Sequence, residues 1–155
     1  MRATRIACLA AALALSCHES SGPQQTIHTL PIRSDETWTK SGSPHIVEGQ
    51  LFISGDATLT IEAGATVSFD AQSSLTFGRV GTGTLRALGS AAASITMQSL
   101  DTTAGPGAWI GLAFRSNTGS EMHYVSISGC GSRVRTDSGP PSCLLLGNPL
   151  LSAEN

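Results

Sequence analysis

Carboxylates gathered on one face of a protein can hold calcium, and a nearby arginine or lysine can then serve as a base. The acids that invite this reading are Glu48, Asp56, Glu62, Asp70, Asp101, Glu121 and Asp137. Their settings argue against it: Asp56 and Asp101 sit beside expected turns, Glu62 enters a bend, and Asp70 follows a strand. Scattered single acids of this kind form turns and keep a surface solvated. His18, His28, His45 and His123 fall into no metal-ligand spacing, and His123, inside an expected strand, should face solvent. No C-x-x-C pair is present, so the common zinc patterns are missing too. The sequence therefore assigns no catalytic residue, no metal ligand and no cofactor. Two features could still bind a ligand. Arg133 and Arg135 lie in a Gly-, Ser- and Pro-rich stretch, where solvation is a simpler role than holding a carboxylate or a glycan. Trp38 and Trp109 have faces that suit sugar rings, but Trp109 lies between Gly107 and an apolar strand, where core or coil-edge packing is expected.

What positions these residues begins with the N-terminus. Arg2 and Arg5 precede an uncharged run, Ile6 to Leu15, that is too short to span a bilayer as a helix of roughly 20 residues. A basic start, a short apolar run and small residues before a cut site describe a secretory signal peptide. Leu13-Ala14-Leu15-Ser16-Cys17 resembles the lipobox of bacterial lipoproteins, with Ala14 where that family prefers leucine. The resemblance implies cleavage after Ser16 and lipid on Cys17, whereas an ordinary secretory peptide would leave Cys17 unmodified. Cys8, within the apolar run, reads as a small hydrophobe. The formal charge is −2; losing Arg2 and Arg5 leaves seven basic residues against eleven acidic, or −4. That balance argues against nucleic acid and against electrostatic attachment to anionic membranes. Residues 17–26 are expected to be a flexible tether, and residues 27–45 an N-terminal cap in which Trp38 covers the first coil. In an exported chain, Cys130 and Cys143, on either side of the Gly-Ser-Pro stretch, are most simply a disulfide.

From Ile46 onwards short apolar runs alternate with polar residues and end at glycine. Leu51-Phe52-Ile53, Leu59-Thr60-Ile61, Val67-Ser68-Phe69, Leu75-Thr76-Phe77, Leu85-Arg86-Ala87 and Ile95-Thr96-Met97 are followed by Ile110–Phe114, Tyr124–Ile127 and Cys143–Leu146. A period of two marks strands with one buried face, and nothing after residue 17 shows a helical period. The Asn-Gly or Asp-Gly turns that favour antiparallel hairpins do not occur between these strands. Aliphatic-x-aliphatic, a bend at glycine, then another such triplet is instead how a chain turns the corners of a coil. Leu59, Leu75 and Ile95 are read as corresponding positions, at spacings near those of solenoid repeats of about 20 residues. The expected fold is all-β: a right-handed parallel β-helix over residues 46–155, with about four to five short coils.

Thr37-Trp38-Thr39, Ser43–Val47 and Leu59-Thr60-Ile61-Glu62-Ala63-Gly64-Ala65-Thr66-Val67-Ser68-Phe69 resemble the opening of bacterial surface β-helix proteins of pectin-lyase-like type, with Ala63 where proline is usual. Gly83–Ser90 with Ile95–Met97, Trp109–Phe114 and Met122–Ile127 are similar to the later repeats of that family. This resemblance implies a fold, not a defined activity. The function expected is a surface-anchored, non-enzymatic scaffold for binding or adhesion, facing a surface glycan or protein ligand. The alternative is a fragment of a carbohydrate-active enzyme of lyase or hydrolase type. The expected location is the cell envelope or outer-membrane surface, through the lipid on Cys17, or else the periplasm or exterior if that lipid is absent. Leu144-Leu145-Leu146 and Leu150-Leu151 begin strands with no polar cap after them, so the solenoid is expected to be incomplete at its C-terminal end.

Overall fold

The computed structural model describes residues 25–132 and 142–147. Cys8, Cys17, His18, Arg133, Arg135, Asp137 and Leu150-Leu151 lie outside them. Within them the chain winds as a parallel β-helix, and every strand-to-strand pairing is parallel. The first turn of the spiral is β1 (Thr26–His28), a single bridge at Ile32 onto Ile53, and β2 (Glu36–Trp38). These elements fall largely in residues 27–45, and a short 3-10 turn, Lys40–Gly42, comes after them. The next coils are β3 (His45–Val47), β4 (Gln50–Ile53) and β5 (Ala57–Ile61), then β6 (Thr66–Phe69), β7 (Ser74–Phe77) and β8 (Gly83–Leu88). After them come β9 (Ile95–Ser99), β10 (Gly111–Phe114) and β11 (Glu121–His123), and finally β12 (Val125–Ile127) with β13 (Leu144–Leu146).

Three sheets result. The first has the order β1-β3-β6-β9-β12, the second β13-β10-β7-β4, and the third β11-β8-β5-β2. Alternation explains why. In β5 the pattern Ala57-x-Leu59-x-Ile61 buries every second side chain, while Thr58 and Thr60 stay half-exposed. A strand this short has too little apolar surface to fold alone, but in-register stacking gives each inward side chain a neighbour above and below. Leu51 sits over Leu75 and Leu75 over Leu112; Leu59 sits over Leu85. Phe77 stacks on Phe114 with ring centroids 4.8 Å apart, and Phe69 on Trp109 at 3.8 Å. Burying each such aliphatic or phenyl group stabilises the fold by roughly 1.5–3 kcal/mol before entropy is counted.

The register corrects the expected correspondence of Leu59, Leu75 and Ile95. Leu59 belongs to the third sheet, Leu75 to the second and Ile95 to the first, so each spacing covers two of the three sides of a coil and falls short of a full turn. True partners lie further apart and at uneven intervals: 22 residues from His45 to Val67, 30 from Val67 to Met97, and 37 from Leu75 to Leu112. Corners of variable length hide the period. A second correction concerns Tyr124, expected within a strand. It has φ of 49°, in the left-handed region, and turns the corner between β11 and β12. Gly78 shows how tight such corners are: its φ is 73°, and a Cβ there would overlap the backbone of Ser116 on the next coil.

Candidate functional site

Of the five basic side chains among the described residues, Arg33, Lys40, Arg79, Arg86 and Arg115, three lie along one face. Arg33 follows the Ile32 bridge, Arg79 follows β7, and Arg115 follows β10, so the second sheet delivers all three to its own downstream corner. Inward positions of that sheet are the stacked apolar side chains Leu51, Ile53, Leu75, Phe77, Leu112 and Phe114, which leaves Phe52, Thr76 and Ala113 as register partners on its outer side. The Arg79 guanidinium carbon sits 4.5 Å from the centroid of the Phe52 ring. Such a contact stabilises by about 0.5–1 kcal/mol at an exposed site. Two adjoining concavities share Phe52 and Arg79. One, of about 440 Å³, runs past Arg33; the other, of about 400 Å³, runs past Thr76 to Arg115.

Charge gives this face its character. Arg86, on the third sheet, faces Glu121 across the strand register at 3.7 Å. Arg33, Arg79 and Arg115 have no carboxylate partner among the described residues, and no acid lines either concavity. The face presents guanidinium donors, the hydroxyls of Ser74 and Thr76, the Gln50 amide and one aromatic ring. It can hold an extended ligand bearing negative groups, and it contains neither a nucleophile–base pair nor a metal cluster.

Among the described residues, the acids singled out in the sequence are not brought together. Most of those described bind backbone amides of a neighbouring coil or turn. Asp56 Oδ1 accepts from the Thr82 hydroxyl at 2.6 Å and from its N–H at 3.2 Å. Those two bonds, the hydroxyl first, hold the Asp56 carboxyl below the usual aspartate value. Asp101 is lowered in the same way by the Thr103 hydroxyl and N–H. Glu62 accepts from the Lys40 N–H, and Asp70 from the Ala71 N–H. His123 lies on the exposed strand β11, and both tryptophans are fully buried, so neither offers a face to a sugar ring. Cys130 and Cys143 are joined in a disulfide, with Cα atoms 5.1 Å apart. It ties the loop after β12 to the start of β13.

Sequence reasoning missed the arginine face altogether. Arg33, Arg79 and Arg115 are 46 and 36 residues apart, and only the register of the second sheet makes them neighbours. It also missed Glu36, which the fold sets beside His28 at 3.4 Å. The alternation Glu36-x-Trp38 was the one available signal. No known protein family, curated protein or solved structure matches this chain. Fold and site therefore define a class, a parallel β-helix with a cationic, aromatic-bearing face.

Proposed function

We propose that this protein is an exported, non-enzymatic binding scaffold whose second sheet engages an extended anionic glycan at a bacterial cell surface. The observation that carries this reading is the row Arg33, Arg79 and Arg115, without carboxylate partners among the described residues, beside the Phe52 ring. Guanidinium groups match carboxylate and sulfate oxygens two at a time, and a flat sheet face suits a long, stiff ligand better than a small one. In this reading residues 1–16 are a signal peptide and Cys17 carries lipid, in the manner of bacterial surface lipoproteins with pectin-lyase-like β-helices. A single acyl chain holds a membrane only marginally, so stable anchoring needs multiple acylation. Mass spectrometry of the exported protein tests the anchor, which an unmodified N-terminus at another residue would exclude.

The binding claim is tested by calorimetry with a polyuronate, a sulfated glycan and a neutral glucan. The charged polymers should bind and the glucan should not, and added salt should weaken binding. Arg79→Ala and Arg115→Ala should each weaken it about tenfold, the equivalent of about 1.4 kcal/mol. Equal binding of the neutral polymer, or unchanged binding by both variants, would sink the proposal. The competing reading, a fragment of a carbohydrate-active enzyme, predicts shorter chains or new reducing ends in the same incubations.

A further inference from the structure

The two concavities on the arginine face are not alike. The one that runs to Arg115 has the Gln50 amide and the hydroxyls of Ser74 and Thr76 in its walls, neutral partners for the hydroxyls of a sugar. The one past Arg33 is walled by Pro31, Phe52 and Val80. Its polar side chains are a single hydroxyl, that of Ser54, and the guanidinium groups of Arg33 and Arg79. Only the ladder brings these groups together. Ile32 bridges to Ile53 and Ile53 pairs with Phe77, so Pro31–Arg33, Phe52–Gly55 and Arg79–Val80 come from three successive coils.

Backbone bonds fix all three segments. The Ile32 N–H donates to the Phe52 carbonyl at 2.9 Å, and the Ser54 N–H to the Ile32 carbonyl at 3.0 Å. The Gly55 N–H donates to the Val80 carbonyl and the Asp56 N–H to the Thr82 carbonyl, both at 3.0 Å. The Thr82 hydroxyl, donating to Asp56 Oδ1 at 2.6 Å, ties the same corner through a side chain. Val80 is thereby held on a pinned corner although it is 73% exposed. A ligand meets walls that are already ordered, so little of its binding free energy is lost in arranging them.

A bare polyuronate suits one half of this face better than the other. Sugar hydroxyls pressed against Pro31, Phe52 and Val80 would lose water and gain few partners, which costs free energy. An apolar group there instead removes the surface of those three residues from water, while an acidic group beside it meets Arg33 and Arg79. Phe52 and Arg79 belong to both concavities, so one continuous ligand can fill the two. We propose that this face takes an acylated anionic glycan, with its acyl substituent among Pro31, Phe52 and Val80 and the adjoining acidic group on Arg33 and Arg79. The inference rests on the glycan-binding reading above and narrows it to substituted polymers.

Calorimetry on the intact chain tests it with one polyuronate in three forms: bare, O-acetylated, and O-butyrylated to the same degree. Acylating hydroxyls leaves every carboxylate in place, so charge stays constant along the series. Affinity should rise from bare to acetyl to butyryl, by about tenfold overall, because each buried methylene adds to the hydrophobic gain. Val80→Ser and Pro31→Ser, both at exposed positions, should each bring the butyryl-to-bare affinity ratio down toward one. Arg115→Ala, which touches only the other concavity, should weaken all three forms and keep the ratio. Equal affinity for the three forms, or a ratio unchanged in both serine variants, overturns the acyl site and leaves the glycan reading standing. No binding of any form overturns both. Displacement of the butyrylated polymer by vesicles of phosphatidylglycerol and phosphatidylcholine would assign the concavity to a membrane surface and overturn the proposal as well.

Discussion

Among the described residues, acids are fastened to backbone amides more often than to cations, and that explains why they looked scattered in the sequence. Asp35 Oδ1 accepts the Thr58 N–H at 2.8 Å, and Asp56 reaches Thr82 in the same way, each from one coil to the next. A corner aspartate serves the turn above it, so its position follows corner geometry and not the repeat. Replacing Thr82 with valine keeps the branched shape and removes the hydroxyl donor. The Asp56 carboxyl should then titrate closer to the ordinary aspartate range, as measured by carbon-detected NMR. Because its folded value is depressed, what it adds to stability is present above about 3.8 and lost on further acidification; in Thr82→Val that loss should be smaller. Identities of this kind were legible only in part. That Asp56 would sit in a turn was readable from Gly55 beside it, but its partner 26 residues away was not.

At the scale of single elements the sequence was informative where two-residue alternation is clean and silent where it is not. Leu59-Thr60-Ile61 and Leu85-Arg86-Ala87 are strands in the structure, because alternate aliphatics need one dry face. β1 and β2 carry Thr, His and Glu, so they have no such signature, yet parallel pairing to β3 and β5 recruits them. Propensity was overridden there by the backbone hydrogen bonds that a neighbouring strand offers. β13 is the other dependent element. Its Leu144 and Leu146 are exposed, and it is joined to β10 by pairing and to the loop after β12 by the Cys130–Cys143 bond. A cross-link over 13 residues contributes about 3 kcal/mol in the chain-entropy account. Cys143→Ser should therefore free Leu144–Leu146 to exchange hydrogen rapidly while β7 remains protected. Retained protection at β13 would show that its pairing alone suffices.

For the molecule as a whole, each coil touches only its neighbours, so stability is a sum of coil interfaces and a defect spreads from where it is made. Trp109 is one of the two largest fully buried side chains. It is fully buried, flat against Phe69, and its indole N–H donates to the Ser128 carbonyl at 2.8 Å. Trp109→Ala should cost about 3–5 kcal/mol, read from denaturant midpoints, and should loosen β12 and β13 before β3 or β4. Simultaneous loss of all sheets would instead mean that the spiral unfolds as one unit.

The uneven corners carry a different consequence. The ladders keep strict register while the chain between paired residues lengthens from 19 residues, Thr26 to His45, to 37, Leu75 to Leu112. Ladder geometry is thus indifferent to how much chain hangs outside it, and the segment from Leu100 to Ala108, between β9 and β10, is already such an addition. Doubling the length of a flexible loop costs only about 0.6 kcal/mol. The spiral behaves as a rack whose shelves are fixed and whose brackets can be swapped. New surface segments can be spliced in at its corners, and recognition can diversify there, without renegotiating the core.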